Sequence, residues 1–301
     1  MNKARRRWFA LLRFGLYLLA IYIMLRWFEH KQIYHPSDQM AAAPGQLGRP
    51  FEDVLIPVEH GERINVWYFP AQNISSRVFL VCHGNAGNIS HRLDFGAMLL
   101  EAGAGVLLMD YRGYGHSEGR PDEENTYRDA QAAYHWLREK GIAGTNIIAY
   151  GESLGGGVVS ELAMREPLGG LILQSTFTSM TDLGAEIFPW LPVRLISTIK
   201  YNTRAKLPKL RLPVLIFHSR RDDLIPFHHA EENFAAANEP KFLRETSGGH
   251  NDPLGSSRPV MEAAIKEFVQ IVKHNEANSP PGREGGSPVV PKKTGAGAGL
   301  L

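Results

Sequence analysis

The sequence predicts an α/β domain built on a mostly parallel sheet of about eight strands, with helices on both faces and a small cap-like insertion. Three observations carry this. Short apolar runs alternate with stretches of helical periodicity across residues 51–274. The runs are apolar at successive positions, as in strands covered on both faces. At 146–159 such a run, a glycine-bracketed turn and a helical pattern follow one another without a spacer.

In chain order, residues 1–30 come first. Lys3, Arg5, Arg6 and Arg7 precede an almost wholly apolar run, 8–28, broken by Arg13 and Arg26. A spanning helix needs about 20 apolar residues, and arginines near its ends can snorkel to the interface. Trp8, Tyr22 and Trp27 suit that interface. The basic residues are concentrated before the apolar core. The segment therefore reads as a membrane anchor with a cytoplasmic N-terminus, leaving the rest of the chain on the non-cytoplasmic side. A cleaved signal peptide is the competing reading. Its one small-residue candidate, Ala41-Ala42-Ala43, lies far beyond the apolar core and is followed by Pro44. Residues 31–50, rich in Pro, Gly and Ala, read as a linker.

The domain at 51–274 opens with strands at 51–58 and 64–69 around His60-Gly61-Glu62, the second strand antiparallel. Further strands are expected at 78–82, 106–109, 147–150, 171–174, 214–218 and 242–246. Helices are expected at 91–101, 125–139, 154–165, 228–237 and 259–274. Between 176 and 210 the alternation stops. Phe177, Ile187, Phe188, Trp190, Leu191 and several prolines form the insertion, which belongs above the carboxyl ends of the strands. The tail at 275–301 is Pro-, Gly-, Ser- and Lys-rich and is expected to be disordered.

Composition narrows the function. Hydrophobic residues make up 44% and charged residues 21%, enough for an ordinary globular core. A formal charge of +2 gives no reason to expect a nucleic-acid partner. Cys82 is the one cysteine, which excludes an internal disulfide and a cysteine-based zinc site.

The chemistry centres on Gly151-Glu152-Ser153-Leu154-Gly155. A G-x-S-x-G between a strand and a helix is a nucleophile elbow: the tight turn lifts the serine above the sheet edge. A serine hydroxyl needs a base, and the base needs an orienting acid, in the chain order Ser, Asp or Glu, His. Asp222 stands just past the strand that follows the insertion, with Asp223 as its rival; Leu224-Ile225-Pro226 behind it favours Asp222. His250, after Gly248-Gly249, stands past the last strand and is the expected base. An oxyanion needs two donors. They are expected from the backbone N–H of Leu154 and of Asn85, the latter in His83-Gly84-Asn85-Ala86-Gly87-Asn88. His228 and His229 read as surface residues at a helix start. With His218 their spacing matches no usual ligand pattern, so no metal is expected.

Five motifs in order resemble the α/β-hydrolase superfamily, and more narrowly its membrane-anchored BEM-like branch. They are His-Gly-Asn-Ala-Gly-Asn (83–88), Asp-Tyr-Arg-Gly-Tyr-Gly-x-Ser-x-Gly (110–119), Gly-Glu-Ser-Leu-Gly-Gly (151–156), Asp222 before Leu-Ile-Pro, and Gly-Gly-His-Asn (248–251). The resemblance spans roughly 50–273. It implies an α/β-hydrolase fold and a serine hydrolase with Ser153, Asp222 and His250 as triad, and with 111–117 as a loop buttressing the site. Arg220 and Arg221 depart from the small or acidic residues usual before the acid. Some relatives act on palmitoylated proteins through an N-terminal cysteine cluster. No cysteine precedes Cys82, so that role is unsupported. Ser153 argues against dehalogenase and epoxide-hydrolase relatives, which use aspartate there. The expected reaction is hydrolysis of an ester or thioester, from a small-molecule or lipid acyl donor, without a cofactor. The alternative is a catalytically silent, membrane-tethered binding protein on the same scaffold.

Overall fold

The computed structural model describes residues 3–71 and 77–277. The expected tail at 275–301 therefore falls, beyond Ala277, outside the described residues. Eight strands form one sheet: β1 Glu52–Pro57, β2 Arg63–Phe69, β3 Val78–Cys82, β4 Gly105–Met109, β5 Ile147–Glu152, β6 Gly170–Gln174, β7 Val214–Ser219 and β8 Lys241–Thr246. Their spatial order is β1-β2-β4-β3-β5-β6-β7-β8. β2 runs antiparallel to β1 and β4; the remaining pairs are parallel.

The successive apolar positions of the strands divide between two cores. Val78, Leu80 and Cys82 of β3 face one cluster with Ala130 and Tyr134 of α3 (Glu123–Glu139) and Val158 of α4 (Leu154–Arg165). Phe79 and Val81 face the other, with Met98 of α2 (Leu93–Glu101) and Phe268 of α9 (Pro253–Ala277). The alternation of side-chain direction along a strand makes one apolar run serve both layers.

The insertion contains three short helices, α5 Met180–Ile187, α6 Val193–Ile196 and α7 Thr203–Lys206. α8 is His228–Ala236. Three helix starts differ from expectation, α3 beginning two residues early behind the Asp122 cap. The expected helix at 91–101 begins as a 3-10 turn, Ile89–Arg92, capped by Asn88, whose side chain accepts from Ser90 N–H. α9 begins six residues before Pro259 and carries that proline inside it, although proline usually marks a first turn.

The N-terminal helix α1 runs Lys3–Ile33. Its stretch Arg7–Ile33 is long and apolar enough to cross a membrane, with mean hydropathy 1.9 over an 18-residue window. Through Met24 nothing in the domain covers it: Trp8, Leu11, Phe14 and Tyr17 are each more than 60% exposed. From Leu25 onward it lies against the domain. Residues 31–50 connect α1 to β1 and are docked as they do so. Ile33 and Tyr34 are buried, and Tyr34 Oη lies 2.9 Å from Tyr201 Oη. His35–Pro36 pairs in parallel with Ala86–Gly87. Asn88 Nδ2 donates to Ser37 O and Gln39 O, both at 2.9 Å. Composition alone misses this docking, because the bonds run to residues about fifty positions away and, for Tyr201, 167 positions away.

Candidate active site

The register of the central strands fixes the site. Cys82 of β3 pairs with Gly151 of β5, and Glu152 with Gln174 of β6. Ser153 thus stands just beyond three strand ends, at the crevice where open α/β sheets carry ligands. Its backbone lies at φ 51°, ψ −112°, a region costly for a residue with a Cβ. Two bonds hold it there: Ser153 N–H to Gln174 O at 2.8 Å, and Thr176 Oγ1 to Ser153 O at 2.6 Å. The flanking glycines are required by space. A Cβ on Gly155 would lie 1.9 Å from Cys82 O, and one on Gly151 would lie 2.5 Å from the Gly155 carbonyl carbon.

The loops that carry Asp222 and His250 converge on that serine. His250 Nε2 is 3.1 Å from Ser153 Oγ, and His250 Nδ1 is 2.9 Å from Asp222 Oδ2. The Asp222 side chain is buried, and Oδ1 also accepts the N–H groups of Leu224 at 3.0 Å and Ile225 at 2.8 Å. Burial pushes its carboxyl up. His250 and these two backbone donors outweigh burial and hold it below the usual carboxylate range. Asp223, the rival, faces elsewhere: its Oδ1 takes the backbone N–H of His250 at 2.9 Å. It positions the histidine's backbone while Asp222 meets the ring. Ser219 Oγ donates to Gly248 O at 2.7 Å and ties the two loops together.

On the other side of Ser153 lies the 83–88 loop. A Cβ on Gly84 would stand 3.6 Å from Ser153 Cβ. Among the described residues neither Asn85 N–H nor Leu154 N–H has an acceptor. The loop is braced from beneath by the 110–117 segment. Tyr111 Oη donates to His83 O at 2.9 Å, Tyr114 Oη donates to Asn85 O at 2.8 Å, and Asp110 Oδ1 accepts Ile89 N–H at 2.9 Å. With the Asn85 carbonyl held by Tyr114 and by His35 N–H at 2.9 Å, its peptide plane is fixed.

Sequence reasoning missed the parts that three residues play. Glu152, the variable residue before the serine, forms a two-point ion pair with Arg92 at 2.9 and 3.0 Å. Burial pushes Glu152 up and Arg92 more than reverses it, so the carboxylate stays charged beside the serine. A carboxylate so close to a buried turn demands a cation, but no periodicity points to Arg92. His218 is also buried, with Nε2 2.8 Å from Ile225 O and 3.5 Å from Asp222 Oδ2. Burial pulls its pKa down, so a neutral ring backs the Asp222 turn. The third is Asp223, in the role given above. Arg220, in contrast, faces solvent and pairs with Glu245 at 2.9 Å.

His229, expected at the surface, is buried. Among the described residues Glu186, His228 and His229 bring potential metal ligands within 4.8 Å of one another. Thr178 N–H donates to His229 Nδ1 at 3.2 Å. The neutral ring, its pKa pulled down by burial, then carries its proton on Nε2, which lies 3.5 Å from Glu186 Oε2 and makes no hydrogen bond among the described residues. A protonated nitrogen is a donor and not a ligand. His228 Nε2, 3.1 Å from Glu186 Oε1, links α8 to α5.

Comparison with known proteins gives consistent results. A family profile described as "alpha/beta hydrolase fold" matches residues 77–195. Protein Rv2307c of Mycobacterium tuberculosis is 38% identical over 251 residues, covering 82% of this chain and 89% of that protein. Protein bem46 of Schizosaccharomyces pombe is 34% identical over 159 residues, covering 50% of this chain and 53% of that one. Among solved structures, the esterase Pf2001 of Pyrococcus furiosus superposes with a TM-score of 0.67 at 20% identity, over 80% of this chain and 98% of its own.

Proposed function

Since the chain belongs to the α/β-hydrolase superfamily, in its BEM-like branch, we propose that it is a serine hydrolase cleaving a carboxylic ester or thioester through an acyl-enzyme intermediate. The observation that carries this reading is the hydrogen-bonded line from buried Asp222 through His250 to a serine held at positive φ. Ser153 Oγ attacks the acyl carbonyl while His250 Nε2 takes its proton. Asp222 holds the Nδ1–H tautomer and stabilises the imidazolium. The developing oxyanion lies between Asn85 N–H and Leu154 N–H, two donors whose orientation is set before substrate arrives. His250 then protonates the departing alkoxide or thiolate. Water, deprotonated by the same nitrogen, releases the acid.

The reading includes the anchor. The uncovered apolar length of α1 supports residues 1–30 as a membrane segment, joined by 31–50 to a catalytic domain at 51–274 with its cap at 176–210. The weight of basic residues before the apolar core supports a cytoplasmic N-terminus and a non-cytoplasmic catalytic domain. A small-molecule or lipid acyl ester is the matching substrate class, because the cap over the strand ends is apolar. A fluorophosphonate probe tests the chemistry: it should label the purified wild type rapidly and leave Ser153→Ala unlabelled. A folded wild type that resists the probe would leave the silent, tethered binding protein as the better account.

A further inference from the structure

The anchor and the cap leave a space where they meet. A cavity of about 270 Å³ lies between them, walled by Leu25, Phe28 and Ile33 of α1 and by Leu183, Phe188 and Val193 of the cap. Two of its lining residues, Ile33 and Leu224, bond to the loops that flank Ser153. Ile33 O accepts from the side chain of Asn85 at 2.8 Å. Leu224, which also lines the cavity, gives its N–H to Asp222.

The opposite end faces the uncovered part of α1. Phe28 meets Phe188 edge-on with ring centroids 6.2 Å apart, and Phe188 meets Trp190 in the same way at 6.2 Å. Trp190 is 74% exposed and Leu195 of α6 is 86% exposed, side chains suited to an apolar–aqueous boundary. The seam is held rigidly by polar groups. Glu29 Oε1 accepts Thr198 N–H at 3.0 Å and Ile199 N–H at 3.3 Å, and Arg26 donates to Glu29 at 2.6 Å and to Ile196 O. Glu29 is thus satisfied by Arg26 and the 198–199 backbone, and most of the remaining lining is apolar.

We propose that this cavity receives the fatty acyl chain of an ester resident in the bilayer, so that α1 serves at once as anchor and as one wall of the substrate site. This deepens the hydrolase and anchor readings above and rests on both. A chain moving from lipid into the cavity along α1 stays in a mostly apolar medium, and its carbonyl is directed toward Ser153 from the end lined by Ile33 and Leu224, which bond to Asn85 and Asp222. Continuity with the membrane helix singles out this occupant: the cavity walls are the turns of α1 that follow its uncovered stretch.

The experiment measures kcat/KM of the full-length protein in detergent–lipid micelles for p-nitrophenyl acetate and p-nitrophenyl palmitate. Gly184→Leu fills the cavity from α5, where a Cβ meets only Val193 Cγ1 at 3.0 Å. Ile187→Trp fills it from a half-exposed position that tolerates bulk. Each methylene removed from water contributes roughly a factor of four in binding. Excluding two or three should therefore lower the palmitate-to-acetate ratio about tenfold or more. Fluorophosphonate labelling of each variant shows that it is folded with a competent serine. An unchanged ratio in both labelled variants overturns the proposal, whether the cavity is empty or holds a structural lipid. If the wild type turns over neither ester, the hydrolase reading itself is what fails.

Discussion

Ser153 is held in a backbone conformation that its own side chain disfavours, so its two functions can be separated by substitution. Ser153→Ala should abolish ester turnover with little change in melting temperature. Ser153→Gly should also be inactive but more stable, by about 1 kcal/mol, because glycine relieves the strain of positive φ. Equal stability of the two variants in chemical denaturation would mean that the elbow stores no strain. The adjacent acids should also part company. Asp222→Asn should cost about four orders of magnitude in turnover, the effect of the matching change in serine proteases. Asp223→Asn keeps an oxygen for the His250 N–H and should stay within a few-fold of wild type. Asp223→Ala removes that acceptor and should be clearly slower; the reverse ranking would transfer the acid role to Asp223. The depressed pKa of Asp222 carries a stability consequence. A carboxyl held low in the folded state stabilises fully above its unfolded pKa of about 4, and that contribution is lost as pH falls through the folded value. The gap in denaturation midpoint between wild type and Asp222→Asn should therefore narrow from about pH 6 to about pH 3. A constant gap would place the stabilisation elsewhere.

Secondary structure follows local periodicity closely, while the contacts that shape the site do not. The strand at 78–82 and the helix at 154–165 have the expected bounds, because an apolar run between turn residues and a 3.6-residue period are local signals. The grouping of Ser153, Asp222 and His250 was legible for a related reason: each stands just past a strand end, and chain order does the rest. Arg92 beside Glu152, His218 behind Asp222 and Tyr34 against Tyr201 were not legible. Those pairs depend on how separate elements approach in space, which no single stretch encodes. The Arg26–Glu29 clamp on 196–199 belongs to the same class and can be tested at the level of the element. Glu29→Ala leaves the amides of Thr198 and Ile199 without their acceptor. Hydrogen exchange across 196–199 should then accelerate at least tenfold while β5 and β6 stay protected. Unchanged protection would mean that the segment is held by its apolar contacts alone.

At the scale of the whole molecule, α1 lies against the domain from Leu25 onward and is clamped to the cap through Arg26 and Glu29. Full-length protein should resist carbonate extraction, and a reporter fused after Leu301 should be active only outside the cytoplasm. Cytoplasmic activity would reverse the proposed topology. A truncation starting at residue 51 removes more than a tether: the buried Tyr34 and the His35–Pro36 bridge to Ala86–Gly87 go with it. Such a truncation should melt lower than one starting near residue 30 and should turn over p-nitrophenyl acetate more slowly, since the bridge steadies the loop that carries Asn85. Equal melting and equal turnover would reduce the docked stretch to a passive connector. The clamp between α1 and the cap also fixes the unit in which substrate concentration is counted. Under the anchor and substrate proposed above, a catalytic centre locked at one height and tilt over a lipid sheet meets its substrate in two dimensions. Its rate then follows the mole fraction of ester among lipids and not the amount per litre. Adding inert phospholipid at constant total ester should slow it, as surface dilution slows any reaction confined to a plane.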